Sequence, residues 1–318
     1  MAYAAGIAEF VEAVNDAMPP DFYTYPVERQ RALYDGLAEV LPIPMPAGVH
    51  AEVLAVEHQG RQARIRVYEP ATRSGDGVLF YIRGGGFVLG SLESHDSLVA
   101  ELAGKTGLVA VALDFGRAPE NPFPGPLEDC YTGLCGVLAD PAALGLDIDP
   151  AAAVVCGESS GANMAVILSM MSRDRNGPAL RGQALISPVL DFARWRHGGE
   201  DAPLLSGGEM EFFTACYCPQ TEQVKDPYVS PLLSGRFHDL PPAYVVGCGM
   251  DSLRVDAEKY AAILREHDTP VQYVLEEGMV HAPVRARRVS APAGEMFARF
   301  CAATVALARA GQAGSNAS

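Results

Sequence analysis

Gly157-Glu158-Ser159-Ser160-Gly161 lies between an apolar run, 151–156, and a helix-compatible stretch, 162–173. A strand, a tight turn and a helix follow one another there. In that setting Gly-x-Ser-x-Gly reads as a nucleophile elbow, in which small flanking residues let the backbone turn sharply and hold the Ser159 hydroxyl clear of the sheet. As a bare pattern the same five residues would also fit an ordinary Gly/Ser turn, and the strand-to-helix context is what separates the two readings. Serine attacks poorly unless a base takes its proton. The rest of the chain is therefore read for a base, a group that orients the base, and donors for an oxyanion.

Outward from the elbow, strand-like runs recur at 50–57, 63–68, 78–82, 108–114, 152–156, 183–188, 243–248 and 271–275. Between the later ones, 94–105, 126–138, 161–173, 253–267 and 293–309 carry apolar residues at three- and four-residue spacing. Such alternation requires crossover connections, hence an α/β fold with a mostly parallel sheet covered by helices on both faces. The first two runs alternate apolar and polar residues around Gly60, which predicts an antiparallel hairpin at the sheet edge.

Two segments stand outside the alternation. The leading residues hold an amphipathic helix (5–18), Pro19-Pro20 and a second helix (28–41), and 192–240 is rich in Gly, Pro and aromatic residues. Segments of this kind beside an α/β sheet fold over the carboxyl ends of the strands as a lid. Phe22, Tyr23, Tyr25, Trp195, Phe212, Phe213 and Tyr217 are then expected either to line an apolar pocket or to pack the lid's own small core. The expected organisation is a cap segment at 1–48, a core in two parts at 49–191 and 241–310 around a cap insertion at 192–240, and a flexible tail at 311–318.

With 318 residues and a formal charge of −15, the chain is ordinary in apolar content but poorly suited to a polyanionic partner, because nucleic-acid binding draws on clustered Lys and Arg. No apolar run approaches the ~20 residues of a membrane span. The start lacks a basic, apolar secretory signal, so a cytoplasmic location is expected. The seven cysteines are scattered, and Cys216-x-Cys218 has the wrong spacing for a zinc knuckle, so buried free thiols are expected and no metal site.

Three further features complete an acyl-transfer set. His281 follows a strand-like run and sits in the turn Glu277-Gly278-Met279-Val280-His281-Ala282-Pro283. Asp251 follows the run 243–248, at the strand end where ligands collect in open sheets, although it could also cap the next helix; Asp256 is the fallback acid. Gly84-Gly85-Gly86 follows the run 78–82, where glycines let N–H groups approach a substrate oxygen, and Ser160 adds the N–H after the nucleophile. A phosphate loop would need a following Lys-Ser/Thr that is absent. The order Ser159, Asp251, His281 is the one expected of an α/β-hydrolase.

From about residue 78 to residue 284 the chain resembles the hormone-sensitive-lipase-like, or bacterial type IV, esterases of the α/β-hydrolase superfamily. The resemblance rests on the glycine loop through Gly90-Ser91, His95-Asp96, Ala118-Pro119-Glu120-Asn121-Pro122, the elbow, Asp226-Pro227, Val229-Ser230-Pro231-Leu232, Asp251 and Gly278-Met279-x-His281. It implies an eight-stranded α/β-hydrolase sheet with a helical cap, cofactor-free hydrolysis of a small ester with short acyl chains preferred, and a homodimer formed through the edge strand or last helix. Departures include Arg83 where the family has His, Gly116 where it has Arg, and Glu158, Ser160, Ser252, Val255 and Ala282. Arg83 is expected either to brace the loop through carbonyls or, with Arg117, to reach the pocket and pair with a substrate carboxylate. Arg83, Phe87, Glu158, Phe212 and Phe213 are the pocket candidates. The reading is a serine carboxylesterase. The same triad would equally serve a deacetylase, lactonase or amidase, and the altered Arg83 and Gly116 keep a non-hydrolytic receptor or lyase in view.

Overall fold

The computed structural model describes residues 2–310; the expected tail at 311–318 lies outside the described residues. Helices α1 (Ile7–Ala17) and α2 (Val27–Val40) lead into the hairpin β1 (Val49–His58) and β2 (Arg61–Pro70). The alternating part follows as β3 (Val78–Ile82), α3 (Asp96–Thr106), β4 (Val109–Leu113), α4 (Gly125–Ala139), β5 (Ala153–Glu158), α5 (Ser160–Asp174) and β6 (Gly182–Ile186). Then come α6 (Gly207–Tyr217), β7 (Ala243–Cys248), α7 (Arg254–Glu266), β8 (Val271–Glu276) and α8 (Ala291–Arg309).

The eight strands form one sheet in the order β1-β2-β4-β3-β5-β6-β7-β8. β1 and β2 pair antiparallel around Gln59-Gly60, β2 pairs antiparallel with β4, and every later pair is parallel. The parallel strands β3 to β7 are buried along their whole length, as their continuous apolar sequences require when both faces are covered. Alternate residues sort to the two faces. Phe80, Val111, Val155 and Leu185 pack with α4, α5 and α7, whereas Leu79, Ala110, Val154 and Ala184 pack with α3 and α8.

The segment 192–240, with its Gly and Pro, still holds one regular helix. Ser206 caps α6 by accepting from Glu209 N while the Glu209 carboxylate accepts from Ser206 N, a capping box that offsets the weak periodicity of the helix. No helix of the described residues is long and apolar enough to cross a membrane.

Candidate active site

β5 runs into the elbow and α5 leaves it with a single residue between them. Ser159 holds φ 54° and ψ −122°, and its N–H donates to the Ile186 carbonyl at 2.9 Å. Such a conformation is costly for a residue with a side chain and persists only where the surroundings fix it. Gly157 and Gly161 supply that fit: a Cβ on Gly157 would lie 2.6 Å from both the Ile82 oxygen and the Gly161 carbonyl carbon. Strand and helix backbones therefore approach to a distance that no side chain permits.

The turns after β7 and β8 bring the other two groups to Ser159. His281 Nε2 is 3.0 Å from Ser159 Oγ, and His281 Nδ1 is 2.8 Å from Asp251 Oδ2. Asp251 Oδ1 accepts from Leu253 N at 2.9 Å, so the carboxylate is fixed at both oxygens. Burial disfavours the imidazolium, yet the charge of Asp251 and its hydrogen bond outweigh it, and His281 is raised above its ordinary value. Asp256, the fallback acid, is committed elsewhere: its Oδ2 accepts from Leu190 N and Asp191 N, and burial pushes its carboxyl up to about 6.

The glycine loop lies against the elbow. Gly84 passes Ser159 so closely that an added Cβ would stand 3.5 Å from Ser159 Cβ, and Gly85 takes φ +113°. The N–H groups of Gly85, Gly86 and Ser160 donate to no other described residue, and all three residues line the same cavity as Ser159 and His281. That cavity has a volume of ≈ 280 Å³. Phe10 and Val14 of α1, Met18 just after it, Tyr34 and Leu37 of α2, and Met210 and Phe213 of α6 border it. Both segments outside the alternation thus contribute walls.

Next to Ser159, Glu158 Oε1 accepts from Tyr81 OH at 3.0 Å and lies 3.1 Å from His95 Nε2. Burial alone would raise the Glu158 carboxyl, but His95, Arg285 and Tyr81 together hold it down at about 2. Burial lowers His95 to about 4, so at neutral pH a carboxylate faces a neutral imidazole that donates from Nε2. Glu158 Oε2 and Ser160 Oγ are buried without a protein partner.

Of the pocket candidates, Glu158 and Phe213 line the cavity and Arg83, Phe87 and Phe212 do not. Arg83 turns to the far side of the glycine loop, because its acceptors lie there: Nη1 donates to Asp114 Oδ1 at 3.1 Å, Nη2 donates to the Phe115 carbonyl at 3.2 Å, and the guanidinium covers the Phe115 ring. Arg117 likewise points away, donating to the Gly90 carbonyl. The bracing role is the one these contacts describe. Phe87 is fully buried, stacked on Tyr217 with ring centroids 3.6 Å apart. Phe212 sits one position off the cavity face of α6, roughly 100° around the helix from Phe213. Of the other expected aromatics only Phe22 reaches the cavity; Trp195 and Tyr217 belong to the core. Tyr34, Glu209 and Arg285 line it without having been expected. The Ser206-x-x-Glu209 pattern was the available signal for α6, and Arg285 lies four residues after His281 in the short 3-10 turn Pro283–Ala286.

Residues 79–285 match the family model described as the α/β hydrolase fold. The chain belongs to that family. Within it, this hydrolase is a member of the hormone-sensitive-lipase-like esterases. It is 32% identical over 248 residues to the carboxylesterase NlhH of Mycobacterium tuberculosis, covering 75% of this chain and 76% of that protein. It is 30% identical to the esterase LipI of the same organism over 252 residues, 74% of this chain and 77% of the other. Among solved structures, the hyperthermophilic esterase of the archaeon Pyrobaculum calidifontis superposes with a TM-score of 0.86 at 27% identity, covering 98% of this chain and 100% of that one.

Proposed function

We propose that the protein is a serine carboxylesterase that hydrolyses short-chain or aryl esters through an acyl-enzyme. The observation that carries this reading is the unbroken line from Asp251 through His281 to Ser159, with contacts of 2.8 and 3.0 Å, opening into the cavity. Ser159 Oγ attacks the ester carbonyl while His281 Nε2 takes its proton; Asp251 fixes the tautomer and balances the imidazolium. The N–H groups offered by Gly84, Gly85, Gly86 and Ser160 receive the charge that develops on the carbonyl oxygen. His281 then protonates the departing alcohol, and a water activated by the same imidazole releases the acid. Membership of the esterase family and the activities named for its relatives support carboxylic ester hydrolysis. At ≈ 280 Å³ the cavity falls at the small end of ligand pockets, which run from roughly 300 to 1,000 Å³. That favours short acyl chains. Segments 1–48 and 192–240 serve as the cap in this reading, since both wall the cavity.

The test is pre-steady-state hydrolysis of p-nitrophenyl acetate, butyrate and octanoate by the wild type and by Ser159→Ala. A p-nitrophenol burst that Ser159→Ala abolishes while remaining folded is the expected result, with octanoate the poorest of the three. Undiminished turnover in Ser159→Ala would overturn the reading.

A further inference from the structure

Arg285 is the cavity side chain for which hydrolysis of a neutral ester has no use. It stands in the short 3-10 turn Pro283–Ala286 and borders both the main cavity and a small adjoining one of ≈ 60 Å³, whose walls also include Ser94, His95, Ser97 and Arg287. Among the described residues that line the main cavity it is the only Lys or Arg, and it forms no ion pair. Neighbouring guanidiniums differ in this respect: Arg83 has Asp114, and Arg287 has Glu101 at 2.8 Å. Arg285 has instead the face of the Tyr34 ring, 4.6 Å from its Cζ, and a long 3.5 Å contact with His95 Nε2. Glu158 acts on it only through its charge, Oε1 being taken by Tyr81 and His95.

A guanidinium held over an aromatic ring beside apolar walls has given up part of its hydration; the charge of Glu158 and the Tyr34 side chain favour its charged form, but among the described residues no carboxylate forms an ion pair with its fork. Its planar fork is complementary to a carboxylate, which it binds through two parallel N–H donors. The ring beneath it fixes the plane of the fork in advance. We infer that Arg285 anchors a free carboxylate carried by the substrate, so that the preferred esters are hemiesters of dicarboxylic acids. The identity of the reacting bond rests on the esterase reading; the carboxylate anchor does not.

Monomethyl adipate and methyl hexanoate have acyl chains of equal length and differ in the terminal carboxylate. Their binding to Ser159→Ala, followed by calorimetry near neutral pH, separates recognition from turnover. Ser159→Ala is expected to bind the hemiester more tightly, and adding Arg285→Gln to reduce that preference by roughly 10- to 100-fold, the worth of charge-assisted hydrogen bonds. Arg285→Lys, which keeps the charge but not the fork, should retain an intermediate preference, and binding of methyl hexanoate reports whether each variant is folded. In the wild type the preference should fall mainly on KM. Tighter binding of the neutral ester to Ser159→Ala, or a preference that survives Arg285→Gln, would overturn the anchor. Absence of Ser159-dependent hydrolysis of either ester would instead count against the esterase reading, leaving the binding comparison to decide the role of Arg285.

Discussion

His281 Nε2 stands 3.0 Å from Ser159 Oγ across 122 residues of sequence, and the opposite nitrogen of the same ring meets Asp251. The parallel order β5-β6-β7-β8 makes this meeting possible, because strands running the same way deliver all their exit turns to one edge of the sheet.

The Asp251 contact sets a pH dependence. A general base works only when neutral, and Asp251 holds the His281 value above 6.5 against the effect of burial. Esterase kcat/KM is therefore expected to rise with pH through an acid limb centred above 6.5. Asp251→Asn removes the charge that raises the imidazole, so the limb should move to lower pH while kcat falls by about 10⁴. Profiles of kcat/KM against pH for both proteins measure the two effects, and a limb that does not move would refute the role given to Asp251.

Arg83 is a brace, and its variants should behave as brace variants. Arg83→Met removes the hydrogen bonds to Asp114 and the Phe115 carbonyl from a side chain that is 4% exposed. The expected loss of stability is about 2–3 kcal/mol, read from urea unfolding, since Asp114 keeps Arg64 as a second partner. The ratio of turnover on acidic and neutral esters should be the same as in the wild type. A change in that ratio would return Arg83 to the pocket.

The strands and the elbow were legible in the sequence because they rest on local rules. Period-2 burial, continuous apolar runs in β3 to β7 and the paired glycines around Ser159 each leave a short-range mark. Direction of long side chains leaves none. Arg83 and Arg285 are equally compatible with the pocket by residue type, and the choice between them depends on where acceptors lie: Asp114 and Phe115 draw Arg83 behind the glycine loop, while Arg285 stays over Tyr34. The aromatics behave alike. Phe213 and Phe212 are neighbours in sequence, yet only Phe213 meets the cavity, because the phase of α6 is set by what the helix packs on. Its apolar residues, spread nearly evenly around the helix, gave no indication of that phase.

Glu209 carries a second titration into the site. It is 8% exposed and lines the cavity, with Oε2 accepting from Ser206 N at 2.8 Å and Ser206 Oγ at 3.0 Å. Burial pushes its carboxyl up to about 7; the Ser206 bonds and the nearby His281 offset only part of that. In the unfolded chain the group ionises near 4.5, so between that value and about 7 the folded protein holds a proton that the unfolded protein has lost. Folding stability attributable to Glu209 is therefore intact below pH 4.5 and declines as pH rises through 7. Glu209→Gln keeps an acceptor for the Ser206 N–H and removes the ionisation. Relative to the wild type it should be more stable near pH 8 than near pH 4, by at most about 3 kcal/mol, the equivalent of the raised carboxyl value. Urea unfolding at the two pH values measures the difference, and an equal offset at both would show that the carboxyl titrates ordinarily. The same variant also removes one of the charges that raise His281, so its acid limb in kcat/KM should shift slightly down, in the direction of Asp251→Asn but by less.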